Sequence, residues 1–138
     1  MLMRYLLDTN FISELRKGDR ANRGVLAWAM SHDSSLWALS VITIGEIRKG
    51  IEDLRRRDIQ QAHSIEVWLD TIYEEFSESI IPVSVDIADR WGRIMSMNNL
   101  PPSDMLLAAT AIEHGLTVMT RNTGDFEGSG ATFHNPWK

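Results

Sequence analysis

Apolar residues recur along this chain with two periods, and the two periods alternate. Short runs at residues 5–7, 36–39, 80–83 and 116–119 are dense in Leu, Ile, Val and aromatic side chains and read as buried strands. Pro82 restricts its run to the edge or end of a sheet, because proline has no N–H to donate to a neighbouring strand. Residues 131–133 are a candidate for a last strand. Between these runs the apolar positions take helical spacing. Phe11, Ile12 and Leu15 share a face behind Asn10, a favoured N-cap. Val25, Leu26 and Ala29 form a stripe within residues 22–31. Positions 44, 47, 51 and 54 form another, in a helix that Ser40 or Thr43 can cap. The longest stripe, Ile65, Trp68, Leu69, Ile72 and Phe76, predicts a helix over residues 58–77. Ile87, Trp91, Ile94 and Met95 predict one over 85–97. Ser103 is the expected cap of a last helix over 104–113, which His114-Gly115 closes.

Strands that alternate with helices imply an α/β fold, with a mainly parallel central sheet covered by helices on both faces. In such sheets function gathers beyond the carboxyl ends of the strands, near the point where strand order reverses. No repeat, low-complexity stretch or linker interrupts the 138 residues, so 1–138 reads as one domain.

Composition narrows the class. With 43% hydrophobic and 24% charged residues the chain is ordinary for a globular protein. It has no cysteine, which excludes disulfides and thiolate metal sites. The apolar run near Met1 is too short for a signal peptide, and no segment reaches the roughly 20 apolar residues that span a bilayer. The expectation is a cytoplasmic protein with no membrane partner. A net charge of −5 argues against indiscriminate binding to nucleic acid, which rests on surplus Lys and Arg. The basic residues Arg48, Lys49, Arg55, Arg56 and Arg57 are nonetheless clustered, either as a solvated helix face or as an edge that steers phosphate.

The acids carry the candidate chemistry. Asp8 directly follows the strand of residues 5–7. Glu46 and Asp104 are expected in the first turns of helices, and Asp125 trails the strand of residues 116–119 by a short loop. Each has a plain structural role open to it: a strand-end turn for Asp8, dipole-complementing acids for Glu46 and Asp104, and an Asx turn beside Gly124 for Asp125. Gathered at one sheet edge, however, four carboxylates repel one another and call for a divalent cation. Hard oxygen donors suit Mg²⁺ or Mn²⁺.

Four segments together resemble PIN-domain ribonucleases. They are Leu6-Leu7-Asp8-Thr9-Asn10, Thr43-Ile44-Gly45-Glu46-Ile47, Ser103-Asp104-Met105-Leu106, and Thr120-Arg121-Asn122-Thr123-Gly124-Asp125-Phe126, in family order. The ending Phe133-His134-Asn135-Pro136-Trp137 is similar to the FitB-like branch of VapC toxins. The resemblance implies a PIN-like three-layer sandwich and a metal-dependent endoribonuclease, leaving a 3′-hydroxyl and a 5′-phosphate. It also implies that Asp8, Glu46 and Asp104 hold the metal with Asp125 as a less uniform fourth ligand, and that Thr9, Thr120 and Asn122 are supporting polar residues. Met105 and Leu106 depart from the usual third segment, which bears on loop shape.

The same resemblance implies the toxin of a type II toxin–antitoxin pair, inhibited by a cognate VapB- or FitA-like antitoxin, and a homodimer. Ile12, Leu15, Ile51 and Leu54 are candidates for an apolar groove that receives the antitoxin. Arg121 is open to a phosphate contact or to a surface salt bridge. Two other readings remain. A HAD-like phosphatase also opens on a strand followed by Asp-Thr, but it needs a second acid where this chain has Asn10. A non-catalytic PIN scaffold would have no use for four costly acids.

Overall fold

The computed structural model describes residues 2–138. Five strands form one parallel sheet: β1 (Tyr5–Leu7), β2 (Trp37–Ser40), β3 (Ile80–Ile81), β4 (Thr117–Met119) and β5 (Thr132–His134), in the order β3-β2-β1-β4-β5. Six helices connect them: α1 (Thr9–Leu15), α2 (Arg23–Ser31), α3 (Val41–Arg55), α4 (Ile59–Glu75), α5 (Val85–Met97) and α6 (Pro102–His114). The chain winds outward from the central β1 through β2 to β3. It then crosses to the other side of β1 for β4 and β5, so strand order reverses between β1 and β4.

Strand parity sorts the core into two layers. Leu6, Ala38 and Val118 lie side by side in register and face α5 and α6. Leu7, Leu39 and Met119 point the other way, toward α1, α2, α3 and α4. All six are fully buried. Both faces being covered explains why the strands read as continuous apolar runs rather than as alternating ones.

The helix boundaries follow their caps, with three revisions of the expected ones. Asp8, not Asn10, caps α1, its carboxylate accepting the Thr9 amide. Ser40 caps α3, which places Glu46 in the second turn rather than the first. Pro101 precedes α6 and Pro102 opens it, so Ser103 lies inside the helix, and Asp104 keeps its place in the first turn. Proline suits that first position because its absent N–H would have had no partner there. Pro82 ends β3 after two residues, and β3 is an edge strand. Gly115 closes α6 at φ +66°, a left-handed conformation that glycine adopts without a side-chain clash. Among the described residues, no helix is long and apolar enough to cross a membrane.

The last residues strap the fold across α1 and α2. Asn22 caps α2 with its side-chain oxygen, which also accepts the Lys138 amide at 3.0 Å, and Asn22 Nδ2 donates to the Lys138 carbonyl at 2.9 Å. Trp137 sets its ring edge-on against Phe11, the centroids 5.8 Å apart. The strap passes so close that a Cβ on Gly24 would meet the Pro136 carbonyl oxygen at 1.9 Å. Gly24→Ala is therefore expected to destabilise the protein by about 1–3 kcal/mol, since neither backbone can yield without losing the Asn22 pairing. Chemical denaturation of parent and variant measures this, and equal midpoints would count against the strap.

Candidate active site

Three strand ends and one helix bring the four acids to the same edge of the sheet. β1 delivers Asp8, β2 runs through Ser40 straight into α3 with Glu46, and β4 leads through Thr120 to the short 3-10 turn that ends at Asp125. Asp104 arrives from the start of α6. The Trp91 indole N–H donates to the Pro102 carbonyl at 2.9 Å and so ties the start of α6 to α5. Behind Asp125, the fully buried Phe126 anchors the turn in the α5–α6 layer.

Asp8 is the hub. Its side chain is only 5% exposed, which makes its charge costly. Thr9 N donates to Oδ1 at 2.7 Å, and the fully buried Thr120 hydroxyl donates to Oδ2 at 2.8 Å. Asn10 Nδ2 adds longer contacts to Oδ2, at 3.3 Å, and to Thr120 Oγ1, at 3.4 Å. Main-chain bonds hold these partners in place. The Asp8 amide donates to the Met119 carbonyl, and the Thr120 amide donates to the His134 carbonyl, both at 3.0 Å. Burial pushes the Asp8 carboxyl above its ordinary range; the donors from Thr120 and Thr9 pull it back, and the charges of Glu46 and Asp125 push it up.

Glu46 sits at the exposed rim, where Thr9 Oγ1 donates to Oε1 at 2.5 Å. Thr43, fully buried one turn earlier on α3, places its hydroxyl 3.2 Å from that of Thr9. Asp104 stands within hydrogen-bond reach of Asp125. Its carboxyl is raised from 3.8 to about 7, first by burial, then by the charge of Asp8, the Asp125 contact and the charges of Asp125 and Glu46. The four acids are thus in mutual electrostatic contact. They do not close a ligand cage, since among the described residues no three acids or histidines surround one point at ligand distance. None of the four forms an ion pair among those residues. Uncompensated oxygen donors that force a proton onto one of their number fit a hard divalent cation, particularly one that keeps part of its water.

The supporting residues divide. Thr9 and Thr120 act through their hydroxyls. Asn122 acts through its main chain: its N–H donates to Thr120 Oγ1 at 3.0 Å and its carbonyl accepts the Asp125 amide at 3.1 Å, while its side chain is exposed. Asn10 and Thr43 belong to the network although sequence reading gave neither a site role. By sequence Asn10 is a candidate helix cap, and Thr43, with Ser40, one of two candidate caps for α3; only the tertiary contacts reveal the rest. Three of the five residues of the basic cluster, those on α3, are consumed by ion pairs, while Arg56 and Arg57 beyond its end form none among the described residues. Arg48 and Arg55 both hold Glu52 and Glu66, and Lys49 holds Asp53. Glu14 is structural, accepting from Asn22 N and Lys17 Nζ.

A groove of about 420 Å³ runs from Thr9, Asn10 and Glu46 toward Ile47, Ile51 and Trp68. Beside it lies a second of about 460 Å³, lined by Ile12, Leu15, Trp37, Ile72 and Phe76. Of the residues expected to form an apolar groove, Ile12 and Leu15 line this one. Ile51 forms part of the floor of the first groove, and Leu54 packs against the core layer beneath.

This fold is shared with a known class. The PIN domain family model matches residues 5–127, and the chain belongs to that family. It is 33% identical to VapC ribonuclease Y4jK of Sinorhizobium fredii, the match covering 96% of this chain and 97% of that one. It is likewise 33% identical to Toxin FitB of Neisseria gonorrhoeae, over 96% of this chain and 97% of the toxin. The crystal structure of FitAcB from Neisseria gonorrhoeae superposes with a TM-score of 0.87 at 33% identity, covering 96% of this chain and 98% of that chain.

The raised Asp104 carboxyl has a consequence for stability in metal-free protein. Between its unfolded value near 3.8 and about 7 the folded state holds a proton that the unfolded state has lost. The associated stability is therefore present in acid and is lost as pH rises through 7. Asp104→Asn is expected to flatten the dependence of melting temperature on pH between about pH 4 and about pH 8, and to melt above the parent at the upper end. Calorimetry with chelator tests this; parallel curves would refute it.

Proposed function

We propose that this chain is a metal-dependent endoribonuclease and the toxin of a type II toxin–antitoxin pair. The observation that carries the reading is the set of four unneutralised carboxylates centred on Asp8, in a chain one-third identical over nearly its whole length to a protein named VapC ribonuclease and to one named Toxin FitB. Asp8, Asp104 and Asp125, with Glu46 at the rim, would hold Mg²⁺ or Mn²⁺. When bound, such an ion supplies water activation and stabilises charge on the leaving oxygen of a phosphodiester.

The protein's own part is positioning. Thr120 and the Thr9 amide lock the Asp8 carboxylate in one orientation, which fixes where its remaining lone pairs point. Thr9 does the same for Glu46. Asp104 must give up its proton for the four acids to act together as donors, and it does so near neutrality. The exposed edge around Glu46 leaves room for an RNA strand, and hydrolysis there yields a 3′-hydroxyl and a 5′-phosphate.

Inhibition follows from the same charges. A basic side chain of an antitoxin would neutralise the carboxylates, and an apolar helix face of that partner would fill the groove bounded by Ile12, Leu15 and Phe76. The proteins of known structure that resemble this chain include FitAB bound to an IR36 DNA fragment, with a TM-score of 0.84 at 31% identity, which supports a paired partner. A homodimer and a cytoplasmic location belong to the same reading. The phosphatase alternative is weakened by Asn10, which donates to Asp8 where such an enzyme needs an acid.

Purified protein is expected to cleave cellular RNA with Mg²⁺ or Mn²⁺ and not with chelator. Asp8→Asn should remain folded and lose activity by on the order of 10²-fold or more. A folded Asp8→Asn protein that cleaves as fast as the parent would sink the nuclease. Absence of both cleavage and metal binding would favour a scaffold, and turnover of a small phosphate ester a phosphatase.

A further inference from the structure

Arg121 occupies an unusual position for a cation. It directly follows Thr120, the residue that donates to Asp8, and its own N–H donates to Asn10 Oδ1 at 3.2 Å. Its backbone is thus fixed one peptide from the hub of an acidic site. Its side chain is exposed and, among the described residues, forms no ion pair, although four carboxylates are gathered nearby. Arg121 instead lies over Trp137, its Cζ 5.9 Å from the ring centroid. That ring is held by Phe11 and by the pairing of Lys138 with Asn22. Its charge reaches Glu14, whose carboxyl is held below its usual range chiefly by Lys17 and the Asn22 amide, with Arg121 the smallest contributor.

We infer that Arg121 is a positioning residue for RNA, gripping a backbone phosphate that flanks the one presented to the carboxylates. The inference rests on the ribonuclease reading above and adds a residue to it. An acidic site repels the phosphates on either side of the scissile bond, so a strand needs a compensating cation at the rim. Arg48, Arg55, Lys49 and Lys17 are tied to carboxylates, whereas Arg121 and Arg16 are free among the described residues, Arg16 lying over Trp68 along the groove. Of these two, Arg121 is the one that directly follows a residue donating to Asp8. Its planar fork matches two phosphate oxygens. The aromatic seat restrains the side chain before RNA arrives, which lowers the entropy cost of the contact.

The test uses the full chain carrying Asp8→Asn, so that RNA is bound without being cut, and a labelled single-stranded RNA oligonucleotide titrated across a range of salt. Adding Arg121→Ala is expected to weaken binding about tenfold whatever the base sequence, as for loss of one charged hydrogen bond. It should also flatten the slope of log K against log salt by roughly 0.7, the value for one phosphate contact on a single strand. Arg121→Lys should keep the slope and lose part of the affinity. Unchanged affinity and slope with Arg121→Ala would overturn the inference. So would weaker binding at an unchanged slope, which marks a merely structural residue, or no RNA binding while Arg121 is intact. Failure of the ribonuclease reading shows separately, as absence of metal-dependent cleavage by the protein with Asp8 in place.

Discussion

A carboxylate buried at the end of the central strand is the constraint around which the rest of this molecule is arranged. Asp8 is almost inaccessible to water, and a charge so placed is tolerable only if fixed donors replace the lost hydration. Those donors come from far apart in the chain: the first amide of α1 and the hydroxyl of Thr120 beyond β4, 112 residues away. Satisfying Asp8 therefore requires β1 and β4 to be neighbours with their ends level. Their register, Leu7 opposite Met119, sets Thr120 beside Asp8. One interaction thus caps a helix, joins two strands across the switch point and orients a functional group.

Around that hub the fold works by division of labour. The two faces of the sheet belong to separate helical layers, and each supplies part of the site. The α1–α4 layer contributes Thr9, Thr43 and Glu46. The α5–α6 layer contributes Asp104 and, through Phe126, the seat of Asp125. Seven consecutive residues of α6, Met105 to Ala111, are buried, with alanine at 108, 109 and 111. Small side chains there let the helix approach the sheet closely, and that approach brings Asp104 within reach of Asp125.

Electrostatics sets the acids of the site against one another. Acids that would each be comfortable on the surface are brought together until one of them holds its proton to about pH 7. All three cations of α3 are spent on Glu52, Glu66 and Asp53, on helix faces turned to other acids. Surface pairs of this kind contribute little to stability, about 0–1 kcal/mol each. Their effect here is to keep those cations occupied. The negative potential at the strand ends is left unrelieved, which favours a divalent ion or a basic partner.

Hydrophobic period alone determined the alternation of strands and helices, and hence a parallel sheet with two covered faces, because period 3.6 and dense short runs each reflect local geometry. Helix α5 matched its expected bounds of residues 85–97, since a strong apolar stripe and the Ser84 cap agree. Asp8, Glu46, Asp104 and Asp125 were legible as candidates because each sits beside a local signal, a strand end, a helix start or a Gly-containing turn. Caps were less legible. Asp8, Asn10, Ser40, Thr43 and Ser103 are all residues that favour helix ends, and propensity cannot choose among neighbours with the same chemistry. Only the tertiary structure decided that Asp8 both caps α1 and anchors the site, that Asn10 and Thr43 serve the acid network, that Asn122 acts through its main chain, and that Trp137 seats Arg121. The contacts of Thr9 with Thr43, Asp8 with Thr120 and Asn22 with Lys138 join residues 34 to 116 positions apart, and no local period encodes such meetings.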